Sequence, residues 1–279
     1  MTKPFIVVGE SIHASIPRTK QMMERLHESG PDAYKQPSRQ LEYIKNLIDL
    51  QVDEGASYIA VNVDTFGEDR PQTTVDMMLE YVRLVRKCGR GIAVCIDSSD
   101  RNVLIAGLKE WYNSDEEVNR PLVNSIKPDT MRQMMELKKD YDYAFIGMLM
   151  SEQKAVGQAG LGSVDRLYSL ARQMFEKAIG FGFKADEIFF DPAAFPLAID
   201  MPMEPGLAGY TYRAFETIKK VKSDPAMKAV HCVLGVSNAV RDLPGRKIGL
   251  ARAYVAKAME YGLDAGIVNP KHHLHERQA

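Results

Sequence analysis

Short apolar runs alternate with amphipathic stretches along the whole chain. The runs lie at 5–8, 58–62, 92–96, 122–124, 144–148, 188–190, 230–234 and 265–268. Each is brief, rich in β-branched or aromatic residues and free of strict alternation, as strands buried on both faces of a parallel sheet are. Between the runs, apolar residues recur at spacings of three and four. The stripes are Leu41, Ile44, Ile48 and Val52; Val75, Met78, Leu79 and Val82; Leu167, Leu170, Ala171, Met174 and Ala178; and Ala251, Tyr254, Val255 and Ala258. Each would turn one helix face toward a sheet. Eight such alternations without a low-complexity linker predict one α/β domain over 1–279, a single (β/α)8 barrel of the TIM type. A doubly wound open sheet competes with it, but no G-x-G-x-x-G turn follows the first run.

Two stretches break the alternation. A polar insert at 15–39 contains Pro17, Pro31 and Pro37 and leaves room for a short helix near 21–28. Segments that follow a barrel strand lie over the barrel mouth, so the insert is expected there. The last run is followed by about eleven residues, so the last helix is expected to be short or missing, with 271–279 as a C-terminal tail.

Composition changes the picture mainly by exclusion. With 36 basic and 37 acidic residues the net charge is −1, which speaks against a nucleic-acid partner or a polybasic membrane patch. No apolar run approaches the roughly 18–20 residues of a membrane span. The N-terminal run of four residues is shorter than the about 7–15 of a signal-peptide core. Cys88, Cys95 and Cys232 form no C-x-x-C pair and are odd in number, as expected of a reduced, cytoplasmic protein. Cys95 and Cys232 lie inside strand runs and read as inert core residues. The pairs Met22–Met23, Met77–Met78 and Met134–Met135 read as core filling on helices.

In such a barrel the C-terminal strand ends converge on one mouth. Here they read Gly9-Glu10, Asn62-Val63-Asp64, Asp97-Ser98-Ser99, Asn124-Ser125, Met148, Asp191-Pro192, Gly235-Val236-Ser237-Asn238 and Asn269-Pro270. Seven of the eight carry a carboxylate, carboxamide or hydroxyl, and none carries Lys, Arg or His. A phosphate ester calls for cations or a glycine-rich cradle. A flat heterocycle with several N–H groups and a carbonyl calls for this mixture instead, because carboxylates accept paired N–H donors and carboxamides both donate and accept. Taken singly, Asp97 and Asp191 read equally well as helix caps, and Asn124 and Asn238 as turn residues.

The ordered series Gly9-Glu10-Ser-Ile, Gly55-Ala56 with Asn62, Ile96-Asp97-Ser98, Val123-Asn124-Ser125, Asp191-Pro192 and Leu234-Gly-Val-Ser-Asn238 resembles the methyltetrahydrofolate:corrinoid methyltransferases. That group includes the folate domain of cobalamin-dependent methionine synthase. The similarity runs from about Pro4 to Pro270. It is most specific from Leu234 through Leu243-Pro-Gly-Arg246 to the segment 261–269. It implies a barrel of the pterin-binding type in which Asp97, Asn124 and Asp191 hydrogen-bond the pterin ring and Asn238 stands near N5. Glu10, Asn62, Ser98, Ser237 and Met148 complete the implied folate-binding set, with Met148 and Met150 as an apolar floor. Relatives usually carry Asn at the position of His13, Arg at that of Ser11 and Asp at that of Ala60; the added acid Asp64 either restores the carboxylate from another angle, or the site accommodates a different pterin tail or partner.

The implied activity is transfer of a methyl group between N5 of tetrahydrofolate and the cobalt of a corrinoid. No Asp-x-His-x-x-Gly corrinoid motif occurs, so the cobalamin is expected on a partner protein, with the insert at 15–39 as a docking element or a stabilising lid. A homodimer is implied as well. No side chain with an ordinary pKa near neutral stands at the matched positions, so stabilisation is expected to be distributed, with Asn238 as the catalytic donor. The alternatives are a dihydropteroate synthase-like enzyme, which needs cationic diphosphate contacts, and a non-catalytic folate-binding subunit. No metal set is expected: His272, His273 and His275 read as a surface tail. His13 lines the site or packs beside it. Arg246 contacts a glutamate tail, contacts a partner acid or lies at a helix start.

Overall fold

The computed structural model describes residues 4–67, 71–150, 162–201, 206–243 and 247–276. All eight apolar runs are strands: β1 (Ile6–His13), β2 (Tyr58–Asn62), β3 (Ala93–Asp97), β4 (Leu122–Ile126), β5 (Ala144–Met148), β6 (Ile188–Asp191), β7 (His231–Gly235) and β8 (Ala265–Val268). They pair in parallel in sequence order, and β8 returns to β1 to close a (β/α)8 barrel. The competing open sheet is thereby excluded.

The four periodic stripes lie on α2 (Arg39–Asp53), α3 (Pro71–Cys88), α6 (Val164–Gly180) and α9 (Lys247–Glu260). Their apolar members face the barrel: Leu41, Ile44, Ile48, Met78, Val82, Leu167, Met174, Ala251 and Val255 are all buried. The other helices are α1 (Pro17–Glu28), α4 (Arg101–Tyr112), α5 (Met131–Met135), α7 (Tyr210–Ser223) and α8 (Val236–Ala239). The three methionine pairs and both strand cysteines are buried, so their reading as core filling holds. No helix among the described residues is long and apolar enough to cross a membrane.

The end of β1 differs from the sequence reading. Strand β1 does not end at Gly9-Glu10 but runs on to His13, through a register shift between Gly9 and Ile12. The polar pair Glu10-Ser11 hid that continuation. After β8, the described residues form only a 3-10 turn at Pro270–His272, as the short last element anticipated. The histidine tail, however, is packed rather than free. His273 Nε2 lies 2.8 Å from a Glu54 carboxylate oxygen. The ring of His275 stacks on Phe5 with centroids 5.2 Å apart, and Leu274 is buried.

The insert is ordered by its own apolar side chains. Met22, Met23 and Leu26 of α1 and the nearby Tyr34 are buried, and α1 packs along α2. At the opposite end of the barrel, just before β6, Glu187 is almost fully buried. It is paired with Lys138 at 2.8 Å and Arg120 at 3.2 Å. Without Glu187, Lys138 and Arg120 keep only the exposed Asp142 as a counter-charge among the described residues, at 2.6 and 2.9 Å, and losing the buried member of such a cluster costs up to about 3 kcal/mol. Glu187→Ala should therefore lower the urea midpoint markedly without touching the mouth, and a near-wild-type unfolding curve would count against this bridge.

Candidate active site

Successive strand residues point to opposite faces, so position i+2 repeats the direction of position i. Val8, Ala60, Cys95, Leu122, Ile146, Phe189, Val233 and Ala265, one from each strand, fill the barrel interior. Two residues further on come Glu10, Asn62, Asp97, Asn124, Met148, Asp191, Gly235 and Ile267, and all eight line a cavity of about 650 Å³. The site is thus the layer of inward-pointing positions directly above the apolar core. Ser237 and Asn238 of α8 also line the cavity.

Of the expected set, Glu10, Asn62, Asp97, Asn124, Met148, Asp191, Ser237 and Asn238 are brought together. Ser98 is not: it follows the inward-facing Asp97, is buried, and donates its hydroxyl hydrogen bond to Asp64. Asp64 does not restore a carboxylate to the site either. Its second oxygen accepts from the Ser99 amide at 2.7 Å and hydroxyl at 2.8 Å, so it ties down the loop after β3. Ala60 belongs to the core layer, where it is nearly fully buried. Met150 packs against the outer core and does not line the cavity. Arg246 lies outside the described residues.

Four carboxyl groups line the cavity, those of Glu10, Asp97, Asp191 and the exposed Asp242, and the first three have no cationic partner among the described residues. Asp97 accepts from Asn124 Nδ2 at 2.9 Å and from Asn62, whose own carboxamide oxygen takes the Asp64 amide at 3.1 Å. Burial, reinforced by the charges of Asp64 and Glu10, raises the pKa of Asp97 to about 7. Asp191 accepts one hydrogen bond, from the Ala193 amide at 2.7 Å, and burial raises it to about 7 as well. Ala193 sits in the left-handed region, at φ 67°, which turns its N–H back to the carboxylate at a cost in local conformation. Burial likewise raises Glu10 to about 7, although the Ser237 hydroxyl and the Asn269 amide donate to it. The site therefore contains near-neutral acids that the sequence reading did not anticipate, because ordinary pKa values carry no information about burial.

Asn238 is exposed in the mouth, the third residue of the short α8 turn. A Cβ on Gly235 would lie 3.0 Å from Asn238 Nδ2, so the glycine leaves room for this carboxamide. His13 lines the cavity, which decides between its two readings. Its Nδ1 accepts from the Ser15 amide at 3.1 Å and pairs with the Ser15 hydroxyl at 2.8 Å. Burial lowers its pKa, with the charge of Arg241 acting in the same direction and that of Asp64 against it. The neutral ring thus carries its proton on Nε2.

Cations do reach the cavity, though not from the strand ends. Arg241 and Lys247 line it beside Asp242, Val240, Ile248, Ala251 and Leu274, as does His272, whose pKa is lowered by burial and by the charges of Arg252 and Lys271. Arg241 and Lys247 flank the segment between α8 and α9, and His272 comes from the turn after β8. Strand-end reasoning missed them because loops have no periodicity that aims a side chain. Proximity in sequence to Ser237-Asn238 was the available signal for Arg241.

Residues 31–269 match the family described as pterin binding enzyme. Among solved structures the chain is similar to the Yersinia pestis dihydropteroate synthase in a sulfonamide drug complex. The TM-score is 0.64 at 12% identity, over 98% of this chain and 91% of that one. It is also similar to a Coxiella burnetii dihydropteroate synthase in complex with pteroic acid, with a TM-score of 0.60 at 13% identity over 98% and 91% of the two chains. At these identities the structural likeness speaks for the barrel. With a family match across most of its length and an acceptor-rich layer at the barrel mouth, this chain belongs to the pterin-binding enzyme family.

Proposed function

We propose that the protein is a cytoplasmic methyltransferase acting between N5 of tetrahydrofolate and the cobalt of a corrinoid carried by a partner protein. The observation that carries this reading is the cation-free layer of Glu10, Asn62, Asp97, Asn124 and Asp191 with the exposed carboxamide of Asn238 beside it. A carboxylate at Asp191 can accept paired hydrogen bonds from the pterin 2-amino group and N3–H. The linked Asn62, Asp97 and Asn124 offer further acceptors and donors along the ring edge. The partner is proposed to dock over the mouth beside the 15–39 insert, and the protein itself to be a homodimer.

The bond changes are simple. The N5–CH3 bond breaks as a Co–CH3 bond forms, the cobalt supplying the electron pair, and N5 takes up a proton. Without that proton the leaving nitrogen would be an anion. Asn238 is proposed to donate a hydrogen bond toward N5 as the bond breaks. Glu10, held by Ser237 next to Asn238, can keep a proton at this wall at neutral pH. In the reverse direction the same groups release it.

A second reading, condensation of a pterin diphosphate with an aromatic amine, is favoured by Arg241 and Lys247 at the rim. Mixing the protein with methyltetrahydrofolate and a Co(I) corrinoid protein separates the two. Loss of the Co(I) absorption with formation of tetrahydrofolate supports methyl transfer. Pteroate formation from pterin diphosphate without methyl transfer would replace it, and folate binding with neither turnover would leave a binding subunit.

Acceptor carboxylates with a pKa of about 7 make pterin binding pH-dependent. Each carboxyl that must be ionised is about 90% protonated at pH 6 and about 10% at pH 8, so affinity should rise about tenfold per such group over that interval. Calorimetry near pH 6.5 in buffers of different ionisation enthalpy should show protons released on binding. A flat affinity profile between pH 6 and 8 would argue against ionised acceptors.

A further inference from the structure

Strand β1 carries a bulge. Gly9 pairs with Ile59 and Ile12 with Val61, so Glu10 and Ser11 together stand opposite the single Ala60 of β2. The extra residue resets the parity of the strand. Val8 lies in the barrel interior, and Glu10 and His13 both line the cavity although they are three positions apart. Ile12, which a regular strand would turn inward after Glu10, is buried in the outer core instead. The bulge thus lets one strand present two polar side chains at the mouth.

The bulge is held from α2. Gln51 is only 2% exposed and reaches the back of β1, where its Oε1 accepts from the Ser11 amide at 3.0 Å. Its Nε2 donates to the Leu47 carbonyl at 3.0 Å, so both ends of the carboxamide are fixed. A Cβ on Gly9 would collide with Gln51 Oε1, and the glycine therefore admits the wedge. We infer that Gln51 is a positioning residue of the site: by accepting from the displaced Ser11 amide it holds the β1 bulge and, through it, keeps Glu10 and His13 in place in the cavity. Without that acceptor the Ser11 amide has lost its partner at a half-buried position, and the mouth end of β1 loosens toward water.

The placement is a property of the unliganded chain; only the work of Glu10, keeping a proton at the N5 wall, rests on the methyl-transfer reading. Charged groups face the pair from three other elements. Asp97 of β3 acts on Glu10, and Asp64 after β2 and Arg241 after α8 act on His13. Gln51 is neutral and lies behind the strand, so an uncharged replacement alters these titrations by moving Glu10 and His13.

Two variants separate positioning from packing. Gln51→Met keeps the length but has no acceptor for the amide, and Gln51→Glu keeps an acceptor oxygen. NMR of the unliganded proteins follows the histidine titrations, with His13→Asn identifying the His13 signal. In wild type burial holds the His13 pKa below the ordinary 6.5. It should stay there in Gln51→Glu and return toward 6.5 in Gln51→Met, where exchange of the Ser11 amide should also quicken. Methyl transfer from methyltetrahydrofolate to a Co(I) corrinoid protein reads Glu10. Burial holds its pKa at about 7, above the ordinary 4.5, so its proton is present below 7 and lost above it. A loosened Glu10 loses that proton at lower pH. The rate at pH 6.5 should therefore fall about tenfold or more in Gln51→Met and stay within about twofold of wild type in Gln51→Glu.

A Gln51→Met protein with a wild-type His13 titration and a wild-type rate profile overturns the positioning role, even if its stability falls, and leaves Gln51 as packing. Equal losses in Gln51→Met and Gln51→Glu overturn it too, because the acceptor would then not be what matters. If the wild-type protein transfers no methyl group, the methyl-transfer reading fails, and the His13 titration alone upholds or overturns the positioning role.

Discussion

Asp191→Asn should weaken pterin binding about a hundredfold or more and at the same time raise the stability of the unliganded protein at pH 8. The first effect follows from the loss of an anionic acceptor facing two donors. Hydrogen bonds to charged groups contribute roughly 1.5–3 kcal/mol each, and tenfold in affinity corresponds to about 1.4 kcal/mol. An amide at this position still accepts from the Ala193 amide with its oxygen, but then turns an NH2 group toward the ligand's own donors. The second effect follows from the sign of the pKa shift. The folded pKa, about 7, lies above the ordinary value of 3.8, so the folded state holds its proton more tightly than the unfolded one. The associated stability is fully present below the unfolded pKa and is lost as the pH rises through 7. At pH 8 the ionised, buried carboxylate therefore opposes folding, by up to a few kcal/mol. The neutral amide removes that opposition. Thermal unfolding at pH 5 and pH 8 should show wild type losing stability over this interval more steeply than the variant. Parallel pH profiles for the two proteins, or undiminished pterin affinity in the variant, would remove Asp191 from the role assigned to it.

The second large effect is expected at Asn238. Asn238→Ala should lower the methyl-transfer rate about a hundredfold to a thousandfold, the range seen when a single transition-state donor is removed. The dissociation constant for methyltetrahydrofolate should change by no more than about threefold. Asn238 is exposed on a short turn and no packing depends on it, so the fold should be unaffected. Single-turnover stopped-flow measurements, with the corrinoid spectrum as the signal, separate transfer from binding. A variant that transfers methyl at the wild-type rate would leave Asn238 as a bystander in the mouth.

Much of this could be read from the chain because barrel strands are buried on both faces. Their apolar runs are continuous, and all eight could be located, as could the helices with the clearest stripes. The polar strand ends were legible for the same reason, being the points where a buried run stops. Orientation within an end was less so. Asp97 and Ser98 are neighbours in sequence, yet only the former has the inward parity, and the count from Cys95 in the core layer shows it. The length of β1 was hidden by Glu10-Ser11, a polar pair within a strand that bends. Arg241 lies in a connecting segment and Lys247 at the first position of α9, and no local pattern aims either side chain at the mouth. The near-neutral acids depend on burial by the whole mouth, and no local stretch of sequence encodes that.

The layering has an evolutionary corollary. Because every strand places one residue in the cavity-lining layer and another in the core beneath it, no single loop owns that layer. Loops can be exchanged, lengthened or lost without rewriting that layer, and a descendant could change what meets the rim while inheriting the same cavity floor. A single-residue deletion inside a strand is the opposite kind of event: it inverts the parity of everything downstream in that strand and trades a site residue for one that faces a helix. Lineages built on this barrel should therefore diversify at the rim and stay frozen in strand length.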